Sequence, residues 1–179
     1  METIPFETTS LTQREDAAAN LVAVLAHVPS AWKKMEDAQA EVVTFFQNPE
    51  RLAIGAVEKG RLVGWIGSIR QSAHAWELHP LVVNPAHQGR GCGAHLVAAL
   101  KEAARRAGIC TIWLGTDDFG GTTLFGKDVY PDVLEHLRRL EPVGSHPFTF
   151  YRRLGYAVVG VLPDADGPGK PDILMTKRL

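Results

Sequence analysis

Cysteine is scarce in this chain. Cys92 and Cys110 are the only two among 179 residues, and their spacing supports neither a disulfide framework nor a metal site. Both are read as free thiols, and no metal is expected. An excess of charge of one sign is also lacking: 19 Lys and Arg stand against 20 Asp and Glu, a formal net charge of -1. A nucleic-acid or anionic-membrane partner, which needs a clustered basic surplus, is therefore not expected. No apolar run approaches the roughly 18 residues of a membrane span. Met1-Glu-Thr-Ile-Pro-Phe-Glu7 has no basic segment leading into an apolar one, so the chain is read as cytoplasmic. There is no internal repeat and no low-complexity linker. What is present is 45% apolar residues in a length suited to one core, and a single domain over residues 1–179 is expected.

Periodicity and punctuation divide the chain into alternating helices and strands. Ser10-Leu-Thr-Gln13 has the form of a capping box opening a helix to about His27, and Pro29-Ser-Ala-Trp32 is a break. Met35 to about Asn48, with Val42, Val43, Phe45 and Phe46 at helical spacing, reads as a second helix stopped before Pro49. Strands are expected at Arg51–Glu58 and Leu62–Arg70, joined by the tight-turn signal Lys59-Gly60, and at Trp76–Val83, giving an antiparallel meander. A helix from Gly93 to Ala107, stopped by Gly108, leads to a strand over Ile109–Gly115. An irregular insert, a helix near Pro131–Leu140, a short helix over His146–Leu154 and strands at Tyr156–Leu162 and Asp172–Lys177 complete the order.

The chemistry is concentrated after Leu81-Val82-Val83. There Gln88-Gly89-Arg90-Gly91-Cys92-Gly93-Ala94 joins an apolar strand to a helix. Glycines allow positive φ and expose bare N–H groups, and the helix N-terminus adds roughly half a positive charge, so the segment reads as a phosphate cradle. A P-loop needs Lys and Ser or Thr after its last glycine, where this chain has Ala94-His95. A dinucleotide loop starts directly after its strand, whereas Asn84 to Gln88 intervene here. The pattern Q-x-x-G-x-G, carried by Gln88 to Gly93, resembles the coenzyme A pyrophosphate loop of the GNAT N-acetyltransferases. A plain glycine-rich turn is the alternative reading of the loop alone. Cys92 is read either as a thiolate favoured by the helix start or, preferably, as a small residue tolerated between glycines.

Five further blocks extend the resemblance. Gly64-Trp-Ile-Gly67, Trp76-Glu-Leu-His-Pro-Leu-Val-Val83, Leu114-Gly-Thr-Asp-Asp118, His146-Pro-Phe-Thr-Phe-Tyr151, and Val161-Leu-Pro-Asp-Ala-Asp-Gly167 with Lys170-Pro-Asp-Ile173 resemble the aminoglycoside 6'-N-acetyltransferases within GNAT. The resemblance runs from about Leu62 to Leu179. It implies an α/β (α+β) GNAT acyl-CoA N-acyltransferase fold: a mixed, mostly antiparallel sheet with splayed central strands, flanked by helices. It also implies acetyl-CoA as co-substrate, direct transfer in a ternary complex to the 6'-amine of an aminoglycoside, and a homodimer.

For the site residues, the resemblance implies that Glu77 holds the amine and draws its proton, with His79 beside it as substrate or relay contact. Leu81, Val82 and Val83 would offer backbone to the pantetheine arm, and Gln88, Gly89, Arg90, Gly91, Cys92, Gly93 and Ala94 would hold the pyrophosphate. Trp32, Asp117 and Asp118 would meet substrate, and Tyr151 would lie at the coenzyme sulfur as proton donor. Spacing adds that Glu77 and His79, two apart in a strand, share a face, and that Pro80 marks an edge, bulge or splay. Read alone, each side chain also fits a structural role: a surface carboxylate, a core aromatic, or a turn-capping aspartate. Another amine acceptor (a polyamine, an amino acid or a protein N-terminus) and a non-catalytic acyl-CoA-binding module are the alternative functions.

Overall fold

A computed structural model describes residues 1–26, 28 and 31–179. The expected break at Pro29-Ser30 and the expected helix end at His27 lie outside the described residues. Two compact units are distinguished, Met1–Cys110 with Leu179, and Thr111–Arg178.

The first unit contains β1 (Glu2–Pro5), α1 (Leu11–Leu25), α2 (Met35–Gln47), β2 (Arg51–Glu58), β3 (Arg61–Arg70), β4 (Ala75–Val83) and α3 (Cys92–Arg106). The capping box forms as its sequence requires: Gln13 N–H donates to Ser10 Oγ (3.3 Å) and Ser10 N–H to Gln13 Oε1 (2.9 Å). The strands pair antiparallel in the order β1-β2-β3-β4, so the expected meander is present with one more strand at its edge. Its core lies under α1 and α2, where Ala17, Leu21, Val42, Phe45, Trp65 and Val82 pack together. The Trp65 indole N–H donates to the Ala17 carbonyl (3.1 Å), leaving no polar atom of that ring stranded. Leu96, Val97, Leu100 and Ala104 of α3 are buried apart from this cluster. α3 therefore covers the other face of the sheet.

The second unit contains β5 (Thr111–Asp117), α4 (Val133–Arg138), α5 (Pro147–Arg153), β6 (Ala157–Leu162) and β7 (Asp172–Arg178). β7 pairs antiparallel with β5 on one side and β6 on the other. β5 begins two residues later than expected, because Ile109 is spent closing α3: its N–H donates to the Ala104 carbonyl (3.0 Å).

Candidate active site

The glycine loop is braced by a chain of side-chain amides. Asn20, 3% exposed on α1, donates to the Leu62 carbonyl (3.1 Å) and accepts from Asn84 Nδ2 (3.1 Å). Asn84 Oδ1 accepts the Ala86 N–H (3.0 Å) and caps the short turn Pro85–His87. His87 Nε2 donates to Glu58 (3.1 Å), and Gln88 Nε2 donates to the Val83 carbonyl (2.9 Å). Gly89 (φ 71°) and Gly91 (φ 82°) then turn the chain through the left-handed region. Nothing lies within 4 Å of where their Cβ atoms would stand, so backbone direction and not crowding demands glycine. Gly91 caps α3 without a side chain. No capping group competes for the first-turn N–H groups, and these, with the helix dipole, suit a phosphate. Residues 88–91 are exposed, while Gly93 and Ala94 are half-buried. The thiolate reading of Cys92 is not supported: the side chain is buried, and burial, reinforced by Glu58, pushes its pKa up.

β4 carries the next group. Leu78 stands opposite Ser68 and Leu81 opposite Ile66, so His79 and Pro80 together face Gly67. This is the irregularity that Pro80 signalled, realised as a β-bulge. The extra residue changes parity. His79 and Val82, three apart, both reach the α1–α2 face: Val82 joins the core there, and the His79 ring lies 5.7 Å from Trp32, which packs on that core. A Cβ on Gly67 would fall 2.5 Å from the His79 carbonyl and 2.6 Å from the Phe45 ring.

Burial lowers the His79 pKa, Arg51 adds to that, and Glu41 and Glu77 oppose it, so the imidazole is neutral at neutral pH. Arg51 pairs with Glu41 (2.5 Å) and donates to Thr44 Oγ1 (2.9 Å). Its guanidinium stands 5.0 Å from the Phe45 ring centroid. Glu77 accepts a hydrogen bond from Gln71 Nε2 (2.6 Å). Trp32 and His79, 47 positions apart, are thus brought together beside Glu77. Glu41 was not singled out from sequence, where it is one polar residue on an amphipathic helix.

In the second unit, Asp117 ends β5 directly opposite Asp172 at the start of β7. Gly115 leaves the space that the Asp172 carboxyl occupies. Asp117 and Asp172 are both half-buried. Asp172, expected from sequence to open the last strand, is the residue this register adds. Asp118 requires a correction. It is 0% exposed; Oδ1 accepts the N–H groups of Gly120 (3.0 Å) and Gly121 (2.8 Å), and Oδ2 accepts the Thr122 hydroxyl. Its carboxylate is turned onto its own loop, where a substrate ammonium does not meet it.

α5 carries Tyr151 and is capped by His146, whose Nδ1 accepts the Phe148 N–H (3.1 Å). The Tyr151 ring meets Phe150 and Tyr156 edge-on at 5.1 and 5.6 Å. Burial raises its pKa well above the ordinary phenol value, so the hydroxyl keeps its proton throughout the neutral range. Among the described residues, no group of three His, Cys, Asp or Glu side chains is arranged to hold a metal, and no helix is long and apolar enough to cross a membrane.

The family model for acetyltransferases of the GNAT type matches residues 21–121, more than half of the chain. The chain belongs to the acetyltransferase (GNAT) family. The GNAT fold expected from the element order is borne out, as seven strands flanked by helices. The N-alpha-acetyltransferase RimI of Mycobacterium tuberculosis is 30% identical over 111 residues, spanning 60% of this chain and 70% of that protein. A solved aminoglycoside 6'-N-acetyltransferase complexed with coenzyme A is 36% identical, with 99% of this chain and 97% of that one covered and a TM-score of 0.91. The aminoglycoside 6'-N-acetyltransferase from Enterococcus faecium is 37% identical with the same coverage and a TM-score of 0.88.

Proposed function

We propose that this GNAT chain is an aminoglycoside 6'-N-acetyltransferase, using acetyl-CoA and working in the cytoplasm as a homodimer. The observation that carries the reading is likeness over 99% of the chain, at 36 and 37% identity, to two enzymes of that name, one complexed with coenzyme A. The glycine loop from Gln88 to Ala94, with the uncapped N–H groups at the start of α3, suits the pyrophosphate, with Arg90 adding a charge-assisted contact. The backbone of Leu81, Val82 and Val83 offers strand-like pairing to the pantetheine arm. Bound there, acetyl-CoA supplies an activated thioester.

The chain's own groups then manage charge and protons. The amine arrives as an ammonium, and Glu77 takes its proton directly or through water, freeing the lone pair. Neutral His79 and the Trp32 face line the acceptor, while Asp117 binds a further ammonium group. As the N–C bond forms, an N–H near Leu81 stabilises the oxyanion. As the C–S bond breaks, the Tyr151 hydroxyl donates its proton to the departing thiolate. Asp118 supports the loop behind Asp117 instead of touching substrate.

A second reading, acetylation of a protein N-terminus, draws on the likeness to RimI. One experiment separates them: kanamycin and a peptide with a free N-terminus are each incubated with protein and acetyl-CoA, and products are located by mass spectrometry. Acetyl on the 6'-nitrogen of kanamycin is expected. Transfer to the peptide with none to kanamycin would replace the first reading with the second, and coenzyme binding without transfer to any amine would make the chain a binding module.

A further inference from the structure

His146 lies where two segments of the second unit meet. Nδ1 accepts the Phe148 N–H (3.1 Å), so that nitrogen bears no proton, and Nε2–H donates to the Asp117 carbonyl (3.0 Å). Only the neutral imidazole protonated at Nε2 makes both bonds. Burial keeps the ring neutral: the side chain is 4% exposed. The charged group facing it is Asp118, whose Oδ1 stands 3.9 Å from Nε2. Crowding holds the ring in place as well. Phe148 packs against it at 5.3 Å between centroids, and Gly121 comes so close that a Cβ there would fall 2.9 Å from His146 Cβ.

We infer that His146 is a positioning residue that ties Asp117, at the end of β5, to the first turn of the helix carrying Tyr151. Holding the Asp117 carbonyl fixes the peptide plane next to the Cα that carries its carboxylate. Holding the Phe148 N–H fixes the start of α5, on which Tyr151 follows little more than one turn later. One ring therefore sets the acid that binds acceptor and the hydroxyl that protonates the leaving group in a common frame. The roles of Asp117 and Tyr151 rest on the function proposed above; the link between their backbones does not.

Three variants separate the two bonds. His146→Asn keeps an acceptor for the Phe148 N–H but has no group long enough to reach the Asp117 carbonyl. His146→Gln reaches that carbonyl with an amide N–H and gives up the cap, and His146→Ala loses both. The Asn variant is expected to raise the KM for kanamycin roughly five- to tenfold, the equivalent of one lost hydrogen bond, with kcat and the KM for acetyl-CoA within about twofold of wild type. The Gln variant is expected to recover the kanamycin KM while lowering kcat, and the Ala variant to show both defects. An activity loss that only follows thermal stability, with the kanamycin KM unmoved in the Asn variant, would overturn the inference.

Hydrogen exchange followed by mass spectrometry tests the link without substrate. The Asn variant should exchange faster over residues 117–121 and keep wild-type protection over 147–151. If the wild-type protein does not acetylate kanamycin, the proposed function falls, and exchange still decides: unchanged protection over 117–121 in the Asn variant would overturn the link.

Discussion

Replacing Asn20 with alanine cuts the amide chain beneath the glycine loop at its buried end. The side chain is 3% exposed and uses both polar atoms, donating to the Leu62 carbonyl and accepting from Asn84. Each lost hydrogen bond contributes roughly 1 kcal/mol, and a buried carbonyl deprived of its donor costs about 1–3 kcal/mol. The freed Asn84 amide is half-exposed and turns to water, so its share is small. The expected destabilisation is about 2–3 kcal/mol, or on the order of 4–12 °C in Tm for a chain of this length. Urea unfolding followed by tryptophan fluorescence measures the first figure and a thermal scan the second. The loop should respond separately. Asn84 still caps Pro85–His87 but has lost its brace, so the KM for acetyl-CoA should rise while the KM for the amine stays put. A stability loss under about 0.5 kcal/mol, the range of an ordinary surface substitution, would refute the structural argument. A full loss of stability with an unchanged KM for acetyl-CoA would refute the connection to the loop.

Other perturbations test the reacting groups and the fold. Glu77→Gln is expected to lower turnover by about 10²-fold or more while calorimetry shows acetyl-CoA binding unchanged; a rate near wild type would remove Glu77 from the base role. Tyr151→Phe should slow turnover yet keep any alkaline limb of the pH–rate profile, since burial holds the phenol above its ordinary pKa and outside that range; a limb that vanishes in this variant would contradict a protonated donor. The Arg61 guanidinium beside Asp16 holds that carboxyl below its usual pKa, an interaction that stabilises the fold above about pH 4 and fades as pH falls through the folded-state value. Asp16→Asn should therefore be less stable than wild type at neutral pH, with the difference narrowing in acid; a gap that stayed constant into strong acid would disprove the assignment.

Local signals made much of the fold legible. The Ser10-Gln13 box, the Lys59-Gly60 turn and Gly108 each act within a few residues, and α1, the β2–β3 hairpin and the end of α3 lie where they point. β1 escaped notice because Glu2–Pro5 is too short for alternation to register and ends in proline; it becomes a strand only because β2 offers an edge. The site was legible where a motif is contiguous, as in the glycine loop, or where strand parity applies, as for Glu77 and His79. It was not legible where partners meet through tertiary register. Asp118 and Asp117 are adjacent and alike in sequence, yet one serves a buried turn and the other faces Asp172. Nothing in the order of residues distinguishes them.

The bulge at His79-Pro80 lets Glu77 and His79 stand on the acceptor side of the sheet together with Val82, at an odd spacing that a regular strand would not allow. Exchanging a side chain in β4 alters one contact. Flattening the bulge with all its residues kept would slip the pairing by one and send Glu77 and His79 through the sheet, into the layer lined by Leu96 and Leu100. Two polar groups would be sealed under α3, and the acceptor side would be left with Leu78. A homologue with the same number of residues in β4 should thus keep the bulge wherever it keeps the acid and the imidazole on the acceptor side.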